Sequence, residues 1–100
     1  MIRHKFDYDL IVIGSGSAGG SSALMAAGAG QKVAIIESDK WGGLALNYSD
    51  IPFSALFHAS HLLYNSISGA RFGLSSNNLR YNYPTINNWK NTAMRRAGAG

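Results

Sequence analysis

The sequence predicts an α/β fold, a strand–helix–strand (βαβ) unit on a parallel sheet. Three observations carry that expectation. Tyr8–Ile13 (YDLIVI) is a nearly unbroken apolar run, the form taken by a strand buried on both faces. Gly14-x-Gly16-x-x-Gly19 follows at once and opens a stretch built almost wholly of Ser, Ala and Gly. A second apolar run, Val33–Ile36, then ends in an acid, Glu37.

Each element has its own justification. Residues 1–7 read as a polar lead-in, and the first strand covers 8–13. The first helix is expected over 17–27, its small faces suited to close backbone packing, with Gly28 and Gly30 ending it. The second strand covers 32–36. Ser38–Ser49 (SDKWGGLALNYS) reads as a loop around the pair Gly42-Gly43. A second helix is expected over 52–68, with Pro52 at its first position and Ile51 held out of the helical region by the proline that follows it. Phe53, Leu56, Phe57, Leu63, Tyr64 and Ile67 recur at helical spacing and mark its apolar face. Residues 73–82, rich in Ser and Asn, read as a loop or a short edge strand. Tyr83-Pro84 opens a last helix with Ile86, Trp89, Ala93 and Arg96 at workable spacings, cut short before a GAGAG tail without fold information.

The first segment is the dinucleotide-binding fingerprint of a Rossmann-like unit, with strand, glycine loop, helix, second strand and acid in order. Gly14 lets the chain turn off the strand end where a side chain would clash. The missing Cβ of Gly16 lets a pyrophosphate approach, and Gly19 with Ala23 lets helix and sheet pack closely. The amides around Ser17, Ala18 and Gly19 meet the phosphate at the positive end of the helix dipole. Glu37 is placed to accept hydrogen bonds from a ribose diol. A triphosphatase phosphate loop is excluded, because Gly20 stands where its lysine must be. By itself the fingerprint fits NAD or FAD.

Composition sets further bounds. A 46% hydrophobic content suits a globular chain. Net charge is +4, but Arg3, Lys5, Lys32, Lys40, Arg71, Arg80, Lys90, Arg95 and Arg96 are scattered, so no nucleic-acid stripe is expected. Zero cysteines exclude disulfides, thiolate metal sites and thiol catalysis within these residues. Asp7 and Asp9 interrupt the N-terminal run, which is too short for a signal peptide. The longest apolar-rich stretch, Ile51–Leu63, holds Pro52, His58 and His61 and does not reach membrane-spanning length. No integral membrane segment and a cytoplasmic location are therefore expected. His58 and His61 share a spacing found in metal sites but have no further ligand beside them. They read as helix-surface residues, and no metal is expected. Trp41 and Trp89 read as packing residues, Arg95-Arg96 as a solvated face.

The segment Gly42 to Leu56, GGLALNYSDIPFSAL, resembles the active-site region of the pyridine nucleotide-disulfide oxidoreductases, the family of dihydrolipoamide dehydrogenase, glutathione reductase and mercuric reductase. Their pattern there is GG-T-C-x-N-x-G-C-x-P-S-K-A-L. Gly42, Gly43, Asn47, Pro52, Ala55 and Leu56 match it without gaps, FHASHLL continues it, and RFGL…NNWK does so more loosely. The family's two redox cysteines fall on Ala45 and Asp50, its lysine on Ser54, its threonine on Leu44, and the glycine before the second cysteine on Ser49. Alanine and aspartate cannot form a disulfide or a charge-transfer thiolate.

The resemblance implies FAD, with its adenosine end at Gly14–Gly19 and Glu37 and its ring near residues 43–54. The implied cofactor contacts are Gly14, Gly16, Ser17, Ala18, Gly19, Glu37, Ser38, Gly42, Gly43 and Leu44. It further implies an FAD-dependent NAD(P)H oxidoreductase passing electrons to a non-disulfide, small-molecule acceptor. NAD(P)H would bind in a domain outside this chain, and the full-length protein would be a homodimer. Residues 1–100 are then the N-terminal part of one FAD-binding domain, with lead-in 1–7, fingerprint 8–37, flavin-side loop and helix 38–68 and a tail 69–100, inactive alone. Two strands are fewer than a doubly wound sheet uses, which agrees with an incomplete domain. Asp50 is the candidate catalytic residue, a proton carrier beside the flavin, or else an acid at a helix start favoured by the dipole. The alternatives are a non-catalytic FAD- or nucleotide-binding module, and an NAD-binding dehydrogenase domain.

Overall fold

Two short strands, β1 (Leu10–Ile13) and β2 (Val33–Ile36), pair in parallel, with Leu10 opposite Val33 and Ile13 opposite Ile36. The computed structural model describes residues 5–75 and 77–99. Residues 1–4 of the expected lead-in, Ser76 of the 73–82 loop and the final Gly100 lie outside the described residues. The chain divides into two compact units, Met1–Asn47 and Tyr48–Gly100.

In the first unit, helix α1 (Ser17–Gly28) joins the two strands and packs on both. The lower end of the pair is clamped by Asp9. Its amide donates to Lys32 O at 2.8 Å, and its Oδ2 accepts from Lys32 N at 2.8 Å. At the upper end Gly14 N continues the ladder onto Ile36 O at 2.7 Å. The small-residue helix does what its composition requires, burying Ala23 to 4% exposure against the sheet. It ends one residue past expectation. Gly30 N bonds Ala27 O and Gln31 N bonds Ala26 O, a Schellman closure with Gly30 at φ +84°.

The expected loop 38–49 contains a short helix, α2 (Gly43–Asn47). Five residues are too few to show a helical period in sequence. Asn47 fixes them, its Nδ2 donating to Trp41 O and to Gly43 O, each at 2.9 Å.

The second unit holds α3 (Asp50–Ser68), a one-turn 3-10 helix at Gly69–Phe72, and α4 (Tyr83–Ala97). Helix α3 begins earlier than expected, so Pro52 is its third residue and Ile51 is helical. First-turn amides have no intrahelical acceptor, so proline costs no hydrogen bond there, and the restriction on the preceding residue is a preference that the helix overrides. Leu74 N reaches Gly69 O, and Leu74 packs on Gly69, closing the 3-10 turn. No strand forms within 73–82 among the described residues. Asn82 starts α4, its Oδ1 accepting from Thr85 N and Thr85 Oγ1, each at 2.9 Å.

Helix α3 packs on α4, but not through the expected stripe. Ala55 is the buried residue, at 8% exposure, while Phe53, Phe57, Tyr64 and Ile67 are each more than half exposed. The groove beside Ala55 is lined by Ile51, Ser54, His58, Trp89, Ala93 and Ala97. Small side chains let the helices approach on that side. The aromatic stripe instead forms its own ladder, Phe57 lying 5.8 Å from Phe53 and 5.7 Å from His61 between ring centroids. His58 thus borders an apolar groove and His61 stacks on a phenyl ring. Among the described residues no group of three or more His, Cys, Asp or Glu could hold a metal.

Candidate nucleotide site

The site residues of the first unit meet where β1 and β2 end. Gly14 adopts φ +94°, and a Cβ there would meet nothing within 4 Å. The turn off the strand therefore needs glycine for its backbone angle, not for clearance as the sequence reading held. Gly16 is also open above its Cα, with nothing within 4 Å of a Cβ. Gly19 is the packing glycine: a Cβ there would run into the Gly14 carbonyl oxygen and stand 3.1 Å from both Gly14 C and Val12 Cγ1. Helix α1 starts immediately after Gly16, which has no side chain to cap it. Its first intrahelical bond is Gly20 N to Gly16 O at 2.8 Å, which leaves the amides of Ser17, Ala18 and Gly19 without intrahelical acceptors.

Glu37 closes β2 and binds the loop itself. Its Oε2 accepts from Ser15 Oγ at 2.6 Å and Ser15 N at 2.8 Å, and its Oε1 from Ser38 N at 2.9 Å and Asp39 N at 3.0 Å. These donors, the Ser15 hydroxyl foremost and then the Ser15 and Asp39 amides, hold the carboxyl at about 2 against an ordinary 4.5. On sequence alone Glu37 is placed to accept hydrogen bonds from a ribose diol. The structure gives both of its oxygens protein partners first, because the ends of β1 and β2 lie side by side in the parallel pair.

The Gly42–Gly43 turn joins the same cluster. Gly42 N donates to Ser15 Oγ at 3.1 Å, and a Cβ on Gly43 would stand 2.8 Å from Gly16 Cα. Gly43 is thus small because backbone meets backbone. Leu44, on α2, is 69% exposed. Gly14, Gly16, Gly19, Glu37, Ser38, Gly42 and Gly43 are thereby brought together in the first unit. Asp50 belongs to the second, where it stands in the first turn of α3 and accepts from Ser49 Oγ at 3.2 Å. The residue the sequence missed is Ser15, the buried polar side chain at the centre of the cluster, at 7% exposure. The fingerprint leaves that position unspecified, so no local signal marks it.

The family model described as FAD dependent oxidoreductase matches residues 9–89. This chain belongs to the FAD dependent oxidoreductase family. That settles the choice between NAD and FAD which the fingerprint left open. Among curated relatives, the dihydrolipoyl dehydrogenase of Staphylococcus aureus is 35% identical over 92 residues, which is 92% of this chain and 20% of the relative. That of Bacillus subtilis (strain 168) is 33% identical over the same length and shares. The chain thus spans about a fifth of the length of the curated relatives it matches. A solved copper(II) complex of the HOCl-induced flavoprotein disulfide reductase RclA from Escherichia coli superposes with a TM-score of 0.54 at 25% identity, over 91% of this chain and 19% of that one. Within the family, the likeness is to the N-terminal part of the pyridine nucleotide-disulfide oxidoreductases.

The residues present fit an FAD. Open space over Gly14 and Gly16, the uncapped start of α1 and an anchored carboxylate at the end of β2 are the features an adenosine diphosphate moiety uses. Residues 1–100 contain no cysteine, so they themselves supply no thiol for a redox disulfide. No helix among the described residues is long and apolar enough to cross a membrane.

Proposed function

We propose that the chain is the flavin-nucleotide-holding part of an FAD-dependent NAD(P)H oxidoreductase whose electrons pass to a small-molecule acceptor other than a disulfide. The observation that carries this reading is the joining of glycine loop, β2 carboxylate and Gly42–Gly43 turn through Ser15 in one unit. In it the open backbone of Gly14 lets the pyrophosphate approach and the amides at Gly16, Ser17, Ala18 and Gly19 bind it, Glu37 and Ser38 serve the ribose, and Gly42, Gly43 and Leu44 border the flavin side. Bound FAD supplies two-electron exchange with a nicotinamide. Residues 1–100 act as part of a single FAD-binding domain, which at the relatives' length belongs to a cytoplasmic homodimer. Zero cysteines support the non-disulfide acceptor.

Asp50 is proposed to carry a proton near the flavin. Its place in the first turn of α3 also fits an acid that the helix dipole favours. If Asp50→Asn leaves flavin reduction and reoxidation unchanged across pH, the dipole account stands and proton transfer does not.

The test of the main reading is anaerobic addition of NADH or NADPH to FAD-loaded protein of the relatives' length. Bleaching of the yellow colour without reduction of added lipoamide is the expected result. A non-catalytic FAD module is the second reading, favoured by the loss of both redox cysteines to Ala45 and Asp50. Yellow protein that neither nicotinamide bleaches decides for it.

A further inference from the structure

We propose that Ser15 is the positioning residue of the nucleotide site, a buried hydroxyl that fixes Glu37 and the Gly42–Gly43 turn against the glycine loop. The inference rests on reading that loop as the FAD site. Ser15 Oγ donates to Glu37 Oε2 at 2.6 Å and accepts from Gly42 N at 3.1 Å. One side chain therefore joins three segments distant in sequence, using its single donor and one of its lone pairs. Ser15 as a residue is 7% exposed and both hydroxyl bonds are part-buried, so removal of the hydroxyl takes an acceptor from the Gly42 amide and leaves Glu37 Oε2 with the Ser15 amide alone.

Ser15 also makes the two oxygens of Glu37 different. Oε2 takes both Ser15 donors in part-buried bonds, while Oε1 takes the Ser38 and Asp39 amides in exposed ones. An ionised carboxylate offers about four lone-pair sites, and all are engaged. A ribose hydroxyl that reaches Glu37 must share or replace an amide, and the exposed pair on Oε1 is the one it can reach. Ser15 holds Oε2 in place while that exchange happens. Its action on a nucleotide is through Glu37 and the turn, without contact of its own.

The experiment is NMR on the wild-type 100-residue chain and on Ser15→Ala. It follows the titration of the Glu37 side-chain carboxyl, hydrogen exchange of the Gly42 amide, and the affinities for FAD and ADP. In the wild type the carboxyl is expected to titrate well below the ordinary 4.5, at about 2, held there by the Ser15 hydroxyl and the Ser15 and Asp39 amides. Ser15→Ala is expected to move that midpoint toward the ordinary 4.5, speed Gly42 exchange about fivefold or more, and weaken ADP binding about tenfold. Unchanged titration and unchanged affinity in Ser15→Ala, with a wild type that binds both probes, overturn the role of Ser15 alone. A wild type that binds neither FAD nor ADP overturns the nucleotide reading beneath it. The wild-type titration stands by itself if the variant does not fold, since a midpoint at 4.5 overturns the Ser15–Glu37 bond.

Discussion

The two units of this chain are built on different rules. In the first, order comes from the backbone: a glycine at φ +94°, a glycine that a neighbouring carbonyl excludes from carrying a Cβ, and a carboxylate tied by four donors. In the second, order comes from two helices meeting through small side chains around Ala55, with large aromatics left in water. Backbone-determined structure tolerates almost no change at its key positions and is written locally in the sequence. Face-to-face helix packing depends on which neighbour is present, and the sequence marks an apolar face without saying what covers it.

Substitutions can break this contrast in order of size. Gly19→Val places carbon against the Gly14 carbonyl and Val12, with no flexible side chain to yield, and is expected to cost about 3 kcal/mol or more. Urea unfolding followed on the first unit, together with loss of FAD binding, reads it. Ala55→Asp puts a charge at an 8%-exposed position between α3 and α4, with an expected cost of about 3 kcal/mol in thermal unfolding of the second unit. It should leave the Glu37 titration unmoved. If it shifts that titration, the two units are not governed separately.

Smaller effects sharpen the comparison. Asn82→Ala removes the cap on Thr85 and is expected to cost about 1 kcal/mol, seen as fraying of the first turn of α4 in amide exchange. Acid acts on the first unit through Glu37. Its carboxyl is lower in the folded chain than in the unfolded one, so its contribution is complete above pH 4.5 and disappears as pH falls toward 2. Solvent screens this group, so the loss is expected to be modest. Protection of the Ser15 and Asp39 amides should drop across that window, and protection that rises instead contradicts the assignment. Phe57→Ser is the smallest, within about 0.5 kcal/mol, because its ring is exposed. A large loss of stability would mean that the aromatic stripe is buried after all.

How much was legible follows the same division. The strands, α1 and the packing role of Gly19 could be read because strand runs and glycine spacing are short-range signals. Gly14 was read as essential for clearance, whereas its backbone angle is the cause. Ser15 was invisible, since its three bonds exist only once β2 and the Gly42–Gly43 turn come alongside. Helix α2 escaped notice because five residues are too few to show a period, and the Asn47 side-chain bonds that fix it leave no pattern in the sequence. Helix α3 could be found by periodicity, but its large apolar face is not the one that packs on α4, because large apolar residues outweigh alanine in any such pattern. Here alanine makes the contact.

The central claim is that the first unit carries an FAD site. Addition of FAD to the isotope-labelled chain, read by amide shifts, tests it most directly. The account predicts saturable shifts at Gly14–Gly19, Ser38, Asp39, Gly42 and Gly43. Shifts confined to the α3–α4 groove, or no saturable shift at any amide, would contradict it.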